Sequence, residues 1–319
     1  IPQTITKNEV SDVLWSKIAG YYPMTTYTYT NTKDESGNGN TGALRNLRTV
    51  DRQTAPLPYQ SQGNGAWTTD ATWLNNLVQT LPNDLSIIDG VTPVNWNIVE
   101  TNHNVTIDTD ATLGREREVL GLFVSSNKVT IDGTNASGTG NGLTVTHYLE
   151  LNGEIDLDGE SQLIQITNSD LVVGASGKLY RDQQGTADTY TYNYWSSPVG
   201  ITDQETNEYS YKLPEVLKEG TSNINFITSG YNGTDDPLGL ADYWIWKFAN
   251  QTDDDYSSWQ HVRSTGDVFA GEGFTMKGPG SGLITDNQNY VFSGKPNNGD
   301  IDLTISSGND YLVGNPYAS

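Results

Sequence analysis

Four aspartates, Asp108, Asp132, Asp158 and Asp182, recur at intervals of 24, 26 and 24 residues. Each closes a similar phrase: Val105-Thr106-Ile107-Asp108, Val129-Thr130-Ile131-Asp132, Ile155-Asp156-Leu157-Asp158 and Leu179-Tyr180-Arg181-Asp182. Carboxylates at a fixed interval read in two ways. They form a ladder of Ca²⁺ sites at the corners of a stacked coil, or each turns the chain by accepting from a backbone N–H two residues on. Asp132-Gly133 and Asp158-Gly159 are ordinary turn pairs, and the Gly-Gly-x-Gly-x-Asp pattern of Ca²⁺-binding solenoids is absent. Turn chemistry is the expectation. Stacked carboxylates repel, so turns at staggered depth and one shared cation both stand.

Other acids offer less. Asp253, Asp254 and Asp255, with Asp235 and Asp236 nearby, form the densest carboxylate run and read as a solvated loop or a loop Ca²⁺ site. The Asn, Asp and Gly run Asp34 to Asn40 offers similar oxygens. The three histidines, His103, His147 and His261, share no metal-ligand spacing. A polysaccharide-cleaving site would draw on Glu150, Glu154, Asp156 and Lys128. The coil offers too few turns for a long substrate cleft, and no Gly-x-Ser-x-Gly elbow occurs. A non-enzyme is therefore expected, with no catalytic residue assigned and no cofactor beyond the Ca²⁺ just considered. Flat aromatic rings stack on sugars, which makes Tyr243, Trp244, Trp246 and Trp259 the carbohydrate-contact candidates. Strand alternation puts Trp244 and Trp246 on one face, with Tyr243, Ile245 and Lys247 on the other. The competing reading makes all of them core.

The interval of 24 to 26 residues is that of a solenoid coil. Apolar pairs precede each aspartate: Ile98-Val99, Leu122 to Val124, Leu149 to Leu151 and Leu171 to Val173. Residues 61–185 therefore read as a short parallel β-helix, with Val105, Ile107, Val129, Ile131, Ile155 and Leu157 stacked in inward columns. Trp67 and Trp73 should cap its first turn. Arg181, standing where earlier phrases have Ile or Leu, should mark the end of the stack. Residues 1–60 read as a leader or linker, with one short helix over Val10 to Ala19 and a strand over Thr26 to Thr30. Residues 186–319 carry dense aromatic phrases between Gly-bounded strands and read as an antiparallel β-sandwich. The fold class expected is all-β, a short parallel β-helix followed by a β-sandwich-like domain.

Composition narrows the partners. Lys and Arg total 17 against 39 Asp and Glu, a formal net charge of −22. That charge repels nucleic-acid phosphates and anionic membranes. There are no cysteines, so disulfides and thiolate metal sites are excluded. No apolar run is long enough to span a membrane. Hydrophobic residues are only 34%, yet eight Trp and eighteen Tyr with frequent strand alternation argue for a folded, β-rich chain.

Tyr194-Trp195-Ser196-Ser197-Pro198-Val199, Gly271 to Gly278, Gly294 to Ile301 and Leu312 to Tyr317 resemble a module of large secreted proteins of Bacteroidota, especially gliding flavobacteria. Gly42 to Asn46, Thr54 to Tyr59 and Asp182 to Gly185 extend the resemblance over most of the chain. Gly20 to Met24 with Asp34 to Asn40 is similar to the opening of laminin-G-like jelly rolls, here without the jelly roll. The resemblance implies a fragment lying between laminin-G-like or adhesive repeats and a C-terminal sorting domain. It implies export by the type IX secretion machinery and a place outside the cell or on its outer surface. The partners it implies are other surface-protein domains or glycans. It assigns no catalytic residues. A non-enzymatic adhesin-type surface module is the function expected, with a carbohydrate-binding module as the alternative and a polysaccharide-active enzyme behind it.

Overall fold

A computed structural model describes residues 15–22, 31–32, 34, 36–43, 45, 58–74, 81–87, 89–136, 138–167, 169–201, 210–252, 255–280 and 282–319. Half of the helix expected over Val10 to Ala19 falls outside these residues. In its described half, Trp15–Lys17 is a single 3₁₀ turn. The strand expected over Thr26 to Thr30 lies outside them, as do Asp253 and Asp254.

The chain is nearly all β. Two parallel sheets face each other across the solenoid. The first stacks Tyr59–Gln60, Ile98–Thr101, Glu116–Val124 and Gly142–Leu151, with Gln162–Gln165 and Asp170–Val173 both paired to the last. The second stacks Gly65–Ala66, Val105–Ile107, Lys128–Ile131, Glu154–Leu157 and Lys178–Thr186. Period-2 alternation explains the burial. Along Lys128–Ile131 and Glu154–Leu157 every second side chain points in. The columns Val105–Val129–Ile155–Leu179 and Ile107–Ile131–Leu157 run in register, each member at most 1% exposed. Burying each such side chain stabilises by about 1.5–3 kcal/mol.

Corners between the sheets are short because the residues there accept unusual backbone. Asn127 takes a left-handed φ of 60°, and its side-chain amide donates to Asn102 O at 2.8 Å in the turn below. Gly153 meets that same corner so closely that a Cβ on it would stand 2.4 Å from Asn127 O. Between the two long strands the register shifts from Val119↔Val145 to Gly121↔Tyr148. The extra residue makes a bulge that leaves His147 exposed.

Trp67 and Trp73 close the first turn. Both are fully buried, edge to face at 5.1 Å, and each indole N–H has an acceptor: Asn83 Oδ1 for Trp67 and Trp67 O for Trp73.

Arg181 does not end the pairing. It sits opposite Leu157, and its strand runs on to Thr186. What changes there is direction. The next neighbour, Asn287–Pro296, is antiparallel and pairs with eight residues, Leu179 to Thr186. Arg181 tolerates the inward column because its guanidinium donates to the carbonyls of Gly159 (2.5 Å) and Asp182 (2.9 Å). Leu217–Glu219 and Ser222–Asn223 extend the sheet further. Solenoid and C-terminal region therefore share one continuous sheet. Beyond it, Tyr192–Trp195, Phe274–Lys277, Trp246–Lys247 and Gln260–His261 form a separate four-stranded antiparallel sheet.

Candidate functional site

The repeated aspartates form one corner. Each directly follows a register-paired residue, Ile107, Ile131, Leu157 or Arg181, so Asp108, Asp132, Asp158 and Asp182 stand side by side at the spacing of neighbouring strands. That spacing is about 4.8 Å. The expected turn chemistry is not theirs. The side-chain hydrogen bond in the row joins Asp182 Oδ2 to the Gly159 N–H of the turn before, at 3.2 Å. Bonds to residues further along the chain come instead from Asp34, Asp89, Asp110, Asp188 and Asp255. The coil accounts for the row: its register sets each aspartate beside its counterpart one turn on.

Crowding changes the chemistry of this corner. Burial, then the charges of Asp156, Asp182 and Asp132, push the Asp158 carboxyl up to about 6, with Lys128 opposing. On the same outward face Lys128 Nζ lies 2.7 Å from Asp156 and 3.7 Å from Glu154, and the Tyr180 hydroxyl donates to Glu154 at 3.2 Å. Of the four acids and bases considered for cleavage chemistry, Lys128, Glu154 and Asp156 meet. Glu150 belongs to the other sheet, where it accepts from Tyr148 and Asn152. Among the described residues, no group of three or more His, Asp or Glu is placed to hold a metal. Asp255 is exposed and caps its own turn through Ser257 N–H at 2.8 Å.

The aromatic candidates divide. Asp242–Trp244 is a 3₁₀ turn rather than a strand, so the expected alternation fails there. Tyr243 packs with Trp244 at 4.9 Å and with Trp246 at 6.1 Å instead of turning away from them. Ile245 alone is fully buried. Trp259 packs edge to face on Phe248 at 5.5 Å and makes no ring contact with the other three.

Sequence reasoning missed the residues that complete this face. Tyr194, Thr275, Trp246 and His261 form one row across four strands. His261 lies flat on Trp246, and its Nε2 is 2.9 Å from Tyr243 O. Lys277 Nζ stands 3.6 Å from the centroid of the Trp244 ring and 4.6 Å from that of Tyr192. Burial lowers the Lys277 pKa. Tyr231 packs on Tyr243 at 4.7 Å and accepts the Trp244 indole N–H on its carbonyl. The open rings are His261 and two tyrosines, Tyr194 at 58% and Tyr231 at 60% exposure. The alternation of Tyr192 and Tyr194 about buried Asn193 was the legible signal for that strand. Nothing local marks Tyr231.

Fold and surface together define a β-solenoid protein bearing an acidic corner and an exposed aromatic face. No protein-family model, curated protein or solved structure matches the chain. Among the described residues, no helix is long and apolar enough to cross a membrane.

Proposed function

We propose that the chain is a non-enzymatic, adhesin-type surface module of a secreted bacterial protein. The solenoid serves as a stiff spacer, and the aromatic face contacts glycans. One observation carries this reading. Tyr194 and Tyr231 stand open to solvent around a packed group of Tyr243, Trp244, Trp246 and His261. Rings held by their neighbours lose little freedom on binding, and sugar C–H groups pack well on them. The resemblance of its phrases to those of Bacteroidota surface proteins supports an extracellular place and export by type IX secretion. The net charge of −22 suits a protein kept soluble outside the cell.

Glycan-array binding tests the contact. Binding should fall about five- to tenfold in Tyr194→Ala and Tyr231→Ala, because loss of a stacking ring removes about 1–1.4 kcal/mol. A protein that binds no glycan, and that its host does not place on the cell surface, would sink the reading.

The acidic corner favours a second reading. A carboxyl raised to about 6 by burial and by the acids around it has the character of a general acid in glycoside cleavage. Turnover of a polysaccharide that disappears in Asp158→Asn would establish an enzyme in place of a spacer.

A further inference from the structure

The segment Ile301 to Ile305 has the sequence of a β-strand and, among the described residues, no strand paired to it. Ile301, Leu303 and Ile305 alternate with Asp302 and Thr304, the period-2 signature of a half-buried strand. The segment runs without turn or bend. It is pinned just outside both ends: the Tyr317 hydroxyl donates to Gly299 O at 2.7 Å, and Ser306 N–H donates to Asn250 Oδ1 at 2.8 Å. Between those pins no main-chain group of residues 301–305 has a backbone partner among the described residues. Five residues of unpaired main chain with strand-like alternation form a template for strand addition.

The edge is seated and apolar. Ile301 and Leu303 both lie against Gly271, where a Cβ would come within 3.4 Å of each. Leu303 and Ile305, with Asp310, Tyr311 and Val313, line a groove of about 410 Å³. Ile305 is 51% and Val313 59% exposed.

We infer that this edge pairs with the same segment of a second copy of the chain, antiparallel about Leu303. The sequence is self-complementary in that register. Leu303 meets Leu303, Ile301 meets Ile305, Asp302 meets Thr304 and Asp300 meets Ser306. Apolar residues oppose apolar ones, and each aspartate opposes a hydroxyl rather than another aspartate. A two-fold axis through Leu303 makes the contact isologous and closed, so it stops at a dimer. Each copy carries −22, so bulk electrostatics oppose the dimer, and added salt should strengthen it by screening that repulsion.

Sedimentation velocity on the whole chain, from about 5 to about 200 µM at low and high salt, tests the inference over the range of modest self-affinity. A dimer is expected that tightens with salt. Position 304 is solvent-exposed, so its variants keep the fold while changing the register pair. Thr304→Asp sets two carboxylates opposite each other twice per dimer and should weaken association about tenfold, whereas Thr304→Lys creates two Asp302–Lys pairs and should strengthen it several-fold. A monomer at every concentration and salt overturns the inference, leaving the edge to a strand of other sequence. A dimer that both variants leave unchanged overturns it as well, because the contact then lies elsewhere.

Discussion

His261 lies flat on Trp246, ring centroids 4.0 Å apart and planes 7° from parallel. The imidazole covers one face of the indole that sequence reasoning offers as a sugar platform. Lys277 covers a face of Trp244 in the same way. The two tryptophans are thus the support of the aromatic face, and its solvent-facing rings are Tyr194, Tyr231 and His261 itself. That division of labour separates two aromatic substitutions.

Trp246→Ala should remove the support of His261 and reduce glycan binding about tenfold or more. Trp259→Ala should leave binding unchanged and lower stability by about 2 kcal/mol, because Trp259 packs on Phe248 away from that face. Titration calorimetry and urea unfolding on the two variants check the contrast.

The aspartate row should make the protein more stable in mild acid. The Asp158 carboxyl is raised from 3.8 to about 6 in the fold, so the folded state holds this proton more tightly than the unfolded chain. The resulting stability is fully present below about pH 4 and is lost as pH rises through 6. The full shift corresponds to about 3 kcal/mol. Solvent screening at this partly exposed corner reduces the expectation to about 1–2 kcal/mol. Asp158→Asn should recover that amount at pH 7.5 and flatten the pH 4–6 dependence, as read from urea midpoints.

Arg117 should be a stability determinant despite its charge. It occupies an inward position opposite Leu143 and is 1% exposed. Its guanidinium donates to the carbonyls of Glu116 (2.9 Å), Asp108 (3.1 Å) and Gly114 (3.2 Å). Burial lowers its pKa, and the charges of Asp110, Asp108 and Glu116 act against that shift. Arg117→Met keeps the volume but strands those carbonyls, with an expected loss of about 3 kcal/mol. An equilibrium unfolding curve indistinguishable from the parent would refute this.

The tryptophan cap should hold the first coil together. Trp67→Ala removes a fully buried indole from the end of the stack, at a cost of about 3–5 kcal/mol. Amide exchange should rise first in Ile98–Thr101 and Val105–Ile107 and only later in Glu154–Leu157, because a stacked repeat frays from its end.

Much of the solenoid was legible because its physics is local. A two-residue alternation sends Val129 and Ile131 inward, and a coil repeat near 25 residues sets them over Val105 and Ile107. The aspartate row was visible for the same reason, but its chemistry was misread. A turn-forming bond is a local matter, whereas the proximity of Asp158 to Asp132 and Asp182 is made by register between turns. The aromatic face was half legible. Tyr243, Trp244 and Trp246 announce a cluster, yet the 3₁₀ turn that breaks their alternation comes from packing around them.

By itself the sequence determined the all-β class, the coil period and the inward columns, since these follow from side-chain alternation and short Asn and Gly corners. Only the tertiary structure decided which distant strands meet. Asn287–Pro296 adds to Lys178–Thr186, Tyr194 joins Trp246 and His261 in one row, and Ile301 to Ile305 is left without a paired strand among the described residues. Those outcomes depend on which backbone edges can satisfy one another while apolar faces close over the core. That competition runs across the whole chain, and no local pattern encodes its result.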